Sequence, residues 1–161
     1  MDFTQASFQK QLDQTIMPFW LQQEDKTFGG FYGQVAEDLT VDKEADKSAI
    51  LMTRYLWALS ATYAQSPKPE ILEAAHNVYQ FIVNEMQDEQ NKGLYWSVTY
   101  DGQPAITKKH VYVQSFAIYA LSEYYKVTQD VSSLNLAIDL FNLIEEKAYR
   151  LDDNGYHEEF N

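Results

Sequence analysis

Cysteine is absent from this 161-residue chain. Its absence excludes a disulfide scaffold and thiolate metal sites, and it fits a reducing, cytoplasmic setting. Histidine is scarce: His76, His110 and His157 are scattered, with no two at ligand spacing, so no metal site is expected. Positive charge is thin as well, with 12 Lys and Arg against 24 Asp and Glu and a net charge of −12. Such a field repels phosphate backbones and anionic lipid, which argues against nucleic acid and membranes as partners. No long apolar run is free of charge. The most apolar window, Ser48 to Pro67, carries Arg54 near its centre, where membrane insertion costs about 2.5–3.5 kcal/mol. Met1 to Lys10 lacks the basic stretch and apolar run of a targeting segment, and none is expected.

What is present is globular composition, 45% hydrophobic, at a length that suits one domain and not two. Twelve Tyr, nine Phe and three Trp predict a core or cleft rich in rings. Helical periodicity dominates. Phe8, Leu12, Ile16, Phe19 and Trp20 predict a first helix over about Thr4–Gln22. Further helices are expected at about Ser48–Ala64, Pro69–Met86, His110–Val127 and Asp130–Ala148. Between them lie Gly- and Tyr-bearing loops, one holding Leu94 to Tyr100 and an Asp101-Gly102 turn that reads as a hairpin.

The chain also repeats. A shift of 62 residues lays Lys47 on Lys109, Trp57 on Tyr119, Ala58-Leu59-Ser60 on Ala120-Leu121-Ser122, and Tyr79 on Phe141. Gly30, Gly93 and Gly155 recur at nearly the same interval. The unit is a loop, a helix almost free of charge, and a helix with one polar face. Stacked units of this kind give a two-layer, curved all-α array, the uncharged helices inside and the amphipathic ones outside. A third loop, Gly155-Tyr156-His157-Glu158, has no helix after it and no capping composition, so residues 1–161 are expected to be part of one larger domain. Apolar edges left open on the fourth and fifth helices would favour self-association.

Gly29-Gly30-Phe31-Tyr32-Gly33 is no dinucleotide loop, since no strand–helix–strand unit surrounds it. Arg54 stands out as the single charge of an inner helix. It is either half of a buried ion pair or a pocket residue, because an unpaired buried cation is expensive. Tyr112 lies on the equivalent stripe: Ile50, Arg54 and Trp57 align with Tyr112, Phe116 and Tyr119. For a tyrosine in such a helix, core packing is the default reading. Rings with a few fixed polar groups suit a sugar-sized polar ligand.

At these residues the sequence resembles the N-acylglucosamine 2-epimerase superfamily, most closely its cellobiose 2-epimerase branch. The resemblance is carried by IMPFW (Ile16 to Trp20), GGFYGQV (Gly29 to Val35) and DKEADKSAILMTRYLW (Asp42 to Trp57). GLYWSVTYDGQPAITKKHVYVQSFAIYALSEYY (Gly93 to Tyr125) and GYHEEF (Gly155 to Phe160) extend it over essentially the whole chain. It implies an (α/α)6 toroid, here an incomplete array of about five helices. It also implies a cofactor-independent isomerase acting on a mono- or disaccharide, with proton transfer at C2 through an enediolate. Arg54 and Tyr112 match family positions that bind the sugar. The family's acid/base histidines lie in motifs beyond Asn161, so no catalytic residue is expected in this chain, and the chain alone is expected to be inactive. Two readings from other classes remain open: a helical-repeat adaptor with a peptide groove, and a toroidal glycoside-processing enzyme, which would need two lumen carboxylates where the inner helices offer only Glu123.

Overall fold

The computed structural model describes residues 3–160. Five helical rods form, within two residues of the expected bounds. The first is α1 (Gln5–Gln11), a π-helical turn (Leu12–Ile16) and α2 (Met17–Leu21) in unbroken succession. Thr4 starts it, since its hydroxyl accepts the Ser7 N–H at 3.2 Å while the Ser7 hydroxyl accepts the Thr4 N–H at 3.0 Å. The widened turn comes just before Pro18, which has no N–H and whose ring crowds the carbonyl four residues back in a regular helix.

Next come α3 (Ala49–Gln65), then α4 (Pro69–Phe81) running into a second π-helical turn (Ile82–Met86). α5 (Val111–Thr128) and α6 (Val131–Lys147) complete the helices. Ser48 caps α3 by accepting the Leu51 N–H at 3.2 Å, and Asp130 caps α6 by accepting that of Ser132 at 2.9 Å. The left-handed Gln129 (φ 57°) stops α5.

α3 packs against both α4 and α5, and α5 against α6, so α3 and α5 form the inner layer and α4 and α6 the outer. The inner helices bury Met52, Leu56 and Leu59 in α3 and Val113, Ala117 and Leu121 in α5. α4 buries one stripe, Ile71, Ala74, Ala75 and Val78, while Glu70, Glu73 and Gln80 face water. This is the two-layer array that the charge pattern predicts, and it agrees with the incomplete (α/α)6 toroid that the resemblance implies.

Among the described residues seven short strands sit in the loops: β1 (Gln34–Val35), β2 (Val41–Asp42), β3 (Lys47–Ser48), β4 (Ser97–Val98), β5 (Pro104–Ile106), β6 (Lys109–His110) and β7 (Glu159–Phe160). β4 and β5 form the expected hairpin. The repeat is visible in register. Lys47 pairs with Val98 and Ser48 with Ser97; 62 residues on, Lys109 pairs with Phe160 and His110 with Glu159. The strand leading into each inner helix is thereby tied to the next unit's loop. Long segments, 22–48 and 87–110, lead into the N-termini of α3 and α5, whereas only residues 66–68 and 129–130 join their C-termini to the outer helices. The N-terminal end of the inner layer is therefore the loop-rich face, where a scaffold of this kind carries its variable chemistry. Among the described residues no helix is long and apolar enough to cross a membrane.

Candidate functional site

The loops over the inner helices are anchored from below by two buried ion pairs. Lys47 Nζ lies 2.8 Å from Asp25 Oδ2 and donates to the Gly29 carbonyl at 2.8 Å, with the Phe81 ring 4.7 Å away. One repeat on, Lys109 Nζ lies 2.6 Å from Asp88 Oδ2, with the Tyr95 ring 5.1 Å away. Each aspartate also folds a turn: Asp25 accepts from the N–H groups of Thr27 and Phe28, Asp88 from those of Gln90 and Asn91. Burial pushes the Asp88 carboxyl up, but the Lys109 ammonium and the turn N–H groups outweigh it and hold the group at about 2. Asp25 is lowered on the same balance. Gln114, fully buried in α5, adds a clamp: its amide oxygen accepts the Leu94 N–H at 2.8 Å and its amide nitrogen donates to the Leu94 carbonyl at 2.9 Å.

Held this way, the inner layer presents a groove of about 1010 Å³ along α3. Trp20, Ile50, Tyr55, Trp57, Phe116 and Tyr119 supply much of its wall, and Arg54 is the single charged residue in its lining. The Arg54 side chain is exposed, and among the described residues no carboxylate pairs with it. Of the two readings open for Arg54, the ion pair falls away. Tyr112 is 56% exposed, which overturns core packing for it; its ring meets Phe116 edge-on at 4.9 Å. Phe116 thus links the two: it lines the groove with Arg54 and carries Tyr112 at the loop-rich end. Trp57 and Tyr119, repeat equivalents, stack across the two helices at 5.3 Å.

The histidines do not converge. His76 of the outer α4 bonds the Tyr124 hydroxyl of the inner α5, His157 is exposed, and His110 lies under Trp96 (rings 4.5 Å apart) with Nε2 3.4 Å from Glu159. None of the three lines the groove. Sequence reasoning missed the Lys–Asp pairs, although Asp25 and Asp88 recur 63 residues apart and Lys47 and Lys109 62 apart. It also left Phe116, Trp57 and Tyr119 unassigned, although all three sit on the stripe it had aligned.

The family model for N-acylglucosamine 2-epimerase (GlcNAc 2-epimerase) matches residues 30–161. The chain belongs to this family. Among its relatives, the cellobiose 2-epimerase of Dictyoglomus turgidum is 42% identical over 149 residues, which cover 92% of this chain and 38% of that protein. The cellobiose 2-epimerase of Ruminococcus albus is 42% identical over 155 residues, 96% of this chain and 39% of that one. The solved cellobiose 2-epimerase of Bacillus thermoamylovorans superposes with a TM-score of 0.95 at 44% identity, covering 97% of this chain and 40% of that chain. The chain therefore spans about two fifths of the length of these 2-epimerase family members.

Proposed function

We propose that this chain forms the sugar-binding part of a cellobiose 2-epimerase-like enzyme, which inverts C2 at the reducing end of a mono- or disaccharide without a redox cofactor. The observation that carries this reading is Arg54, a free guanidinium in an otherwise uncharged, ring-lined groove. Its fixed donors bind sugar oxygens, and its charge stabilises the enediolate that forms when a base removes the C2 proton. The rings of Phe116 and Trp57 take the apolar faces of the sugar, and Tyr112 contributes a hydroxyl from the rim. No carboxylate or imidazole of the described residues lines the groove. By the family resemblance, the acid and base that remove the proton and return it on the other face are histidines from outside this chain, which by itself is expected not to turn sugar over. The lack of cysteine supports a cytoplasmic location, and the charge of −12 supports no role with nucleic acid.

Residues 1–161 are part of one larger (α/α)6 domain in this reading. A pocket of about 290 Å³ on the α5–α6 edge supports it. Its residues Ile118, Phe141, Ile144 and Tyr156 are the counterparts of Leu56, Tyr79, Ile82 and Leu94, all buried one repeat earlier. There α5 does the covering: Gln114 holds Leu94 and Tyr124 stacks on Tyr79 at 4.5 Å. A further inner helix fits the open edge in the same way. Left uncovered, with Phe141 at 53% and Tyr156 at 46% exposed, that edge favours self-association.

The test is a chimera in which this chain replaces the matching 149 residues of the Dictyoglomus turgidum enzyme. The folded chimera is expected to epimerise cellobiose, and Arg54→Ala within it to lower kcat roughly a hundredfold to a thousandfold. A cooperatively melting chimera without turnover, or one indifferent to Arg54→Ala, overturns the reading.

A further inference from the structure

One turn from Arg54 the groove is lined by two stacked rings. Trp57, one turn further along α3, and Tyr119, one turn beyond Phe116 on α5, meet across the seam between the helices with ring centroids 5.3 Å apart and planes 18° from parallel. Because the two are repeat equivalents, their contact also sets the register, and Arg54 stands level with Phe116. Three residues of helical rise, about 4.5 Å, separate Arg54 from Trp57 along the axis. Trp57 and Tyr119 thus follow Arg54 and Phe116 by one turn, on the side away from the N-terminal ends of the two helices. The N-terminal end is the loop-rich mouth, which leaves the stack at the deep side of the guanidinium.

Trp57 packs in part against the hydrophobic core, but core packing does not account for the whole pair. Tyr119 is 52% exposed and both rings line the groove. Among the bonds made by α3 and α5 side chains, none involves the Trp57 indole N–H or the Tyr119 hydroxyl. Two large rings held face to face at the surface of a groove, each with its polar atom unbonded among the described residues, have the chemistry of a sugar platform: flat apolar area with donors at its edge.

We infer that the Trp57–Tyr119 stack is the floor of the sugar pocket, sealing the α3–α5 seam and setting the depth at which a sugar ring rests against Arg54. The inference rests on the reading of the groove as a sugar site, and the experiment separates the two. The 161-residue chain is labelled with fluorotryptophan, and Trp20, Trp57 and Trp96 are assigned by single Trp→Phe substitutions. Cellobiose and mannose are then titrated by fluorine NMR, with saturation transfer read on the sugar protons. The Trp57 resonance is expected to shift saturably, while that of Trp96, outside the groove lining, stays in place. Tyr119→Phe, which keeps the ring, retains the shift; Tyr119→Ala weakens binding roughly threefold to tenfold. Saturable binding that Arg54→Ala abolishes but that leaves the Trp57 resonance unmoved overturns the floor alone. No saturable response in either measurement overturns the sugar reading and the floor with it.

Discussion

Lys109 and Asp88 meet at 2.6 Å with both side chains almost entirely out of water. The pair joins the strand that leads into α5 to the turn that follows α4, and Lys47 and Asp25 make the same join one repeat earlier. The third loop departs from the pattern: Arg150 stands where Asp25 and Asp88 stand, its N–H donating to the Gly155 carbonyl as theirs do to Gly30 and Gly93. Its side chain turns instead to Asp152 and Asp153 at the surface.

Removing one member of a buried pair strands the other charge, whereas removing both leaves only a packing change. Lys109→Met is therefore expected to destabilise the chain by about 3–5 kcal/mol. The double variant with Asp88→Asn should recover much of that loss, since the neutral amide still accepts from the Gln90 and Asn91 N–H groups. Urea unfolding at neutral pH checks both, and equal losses in the single and double variants would contradict the account.

The same pair gives a pH dependence. Asp88 is held at about 2, below the ordinary 3.8, so its contribution is fully present above about pH 4 and is lost as pH falls toward 2. That difference corresponds to about 2 kcal/mol, and Asp25 acts in the same direction. Thermal melts between pH 5 and pH 2 should show the loss, and Asp88→Asn should flatten it.

Gln114 satisfies both backbone groups of Leu94, and both residues are fully buried. Gln114→Leu leaves a buried N–H and a buried carbonyl unpaired and is expected to cost about 2–4 kcal/mol. Hydrogen exchange at the Leu94 amide supplies the check, with protection falling by at least the global change.

Arg54 is exposed and, among the described residues, pairs with no carboxylate. Arg54→Ala is expected to change unfolding free energy by less than about 0.5 kcal/mol. A large drop in Tm would return Arg54 to a structural role.

Much of this fold is legible in the residues alone. Apolar spacing marks the five rods, charge sorts them into inner and outer layers, and the 62-residue shift predicts that Trp57 and Tyr119 are neighbours in kind. Arg54 is legible as a candidate because one charge in an apolar helix must be explained. These are local facts, carried by which side chains share a helix face. Tertiary structure alone decided the rest. Among the described residues no acid from another segment pairs with Arg54, Tyr112 stays exposed with only its edge against Phe116, and Lys109 finds Asp88 21 positions away along the chain. Each outcome depends on what lies opposite a face, and a periodic pattern states only that a face will be covered or open to a ligand, because the covering group comes from a distant part of the chain.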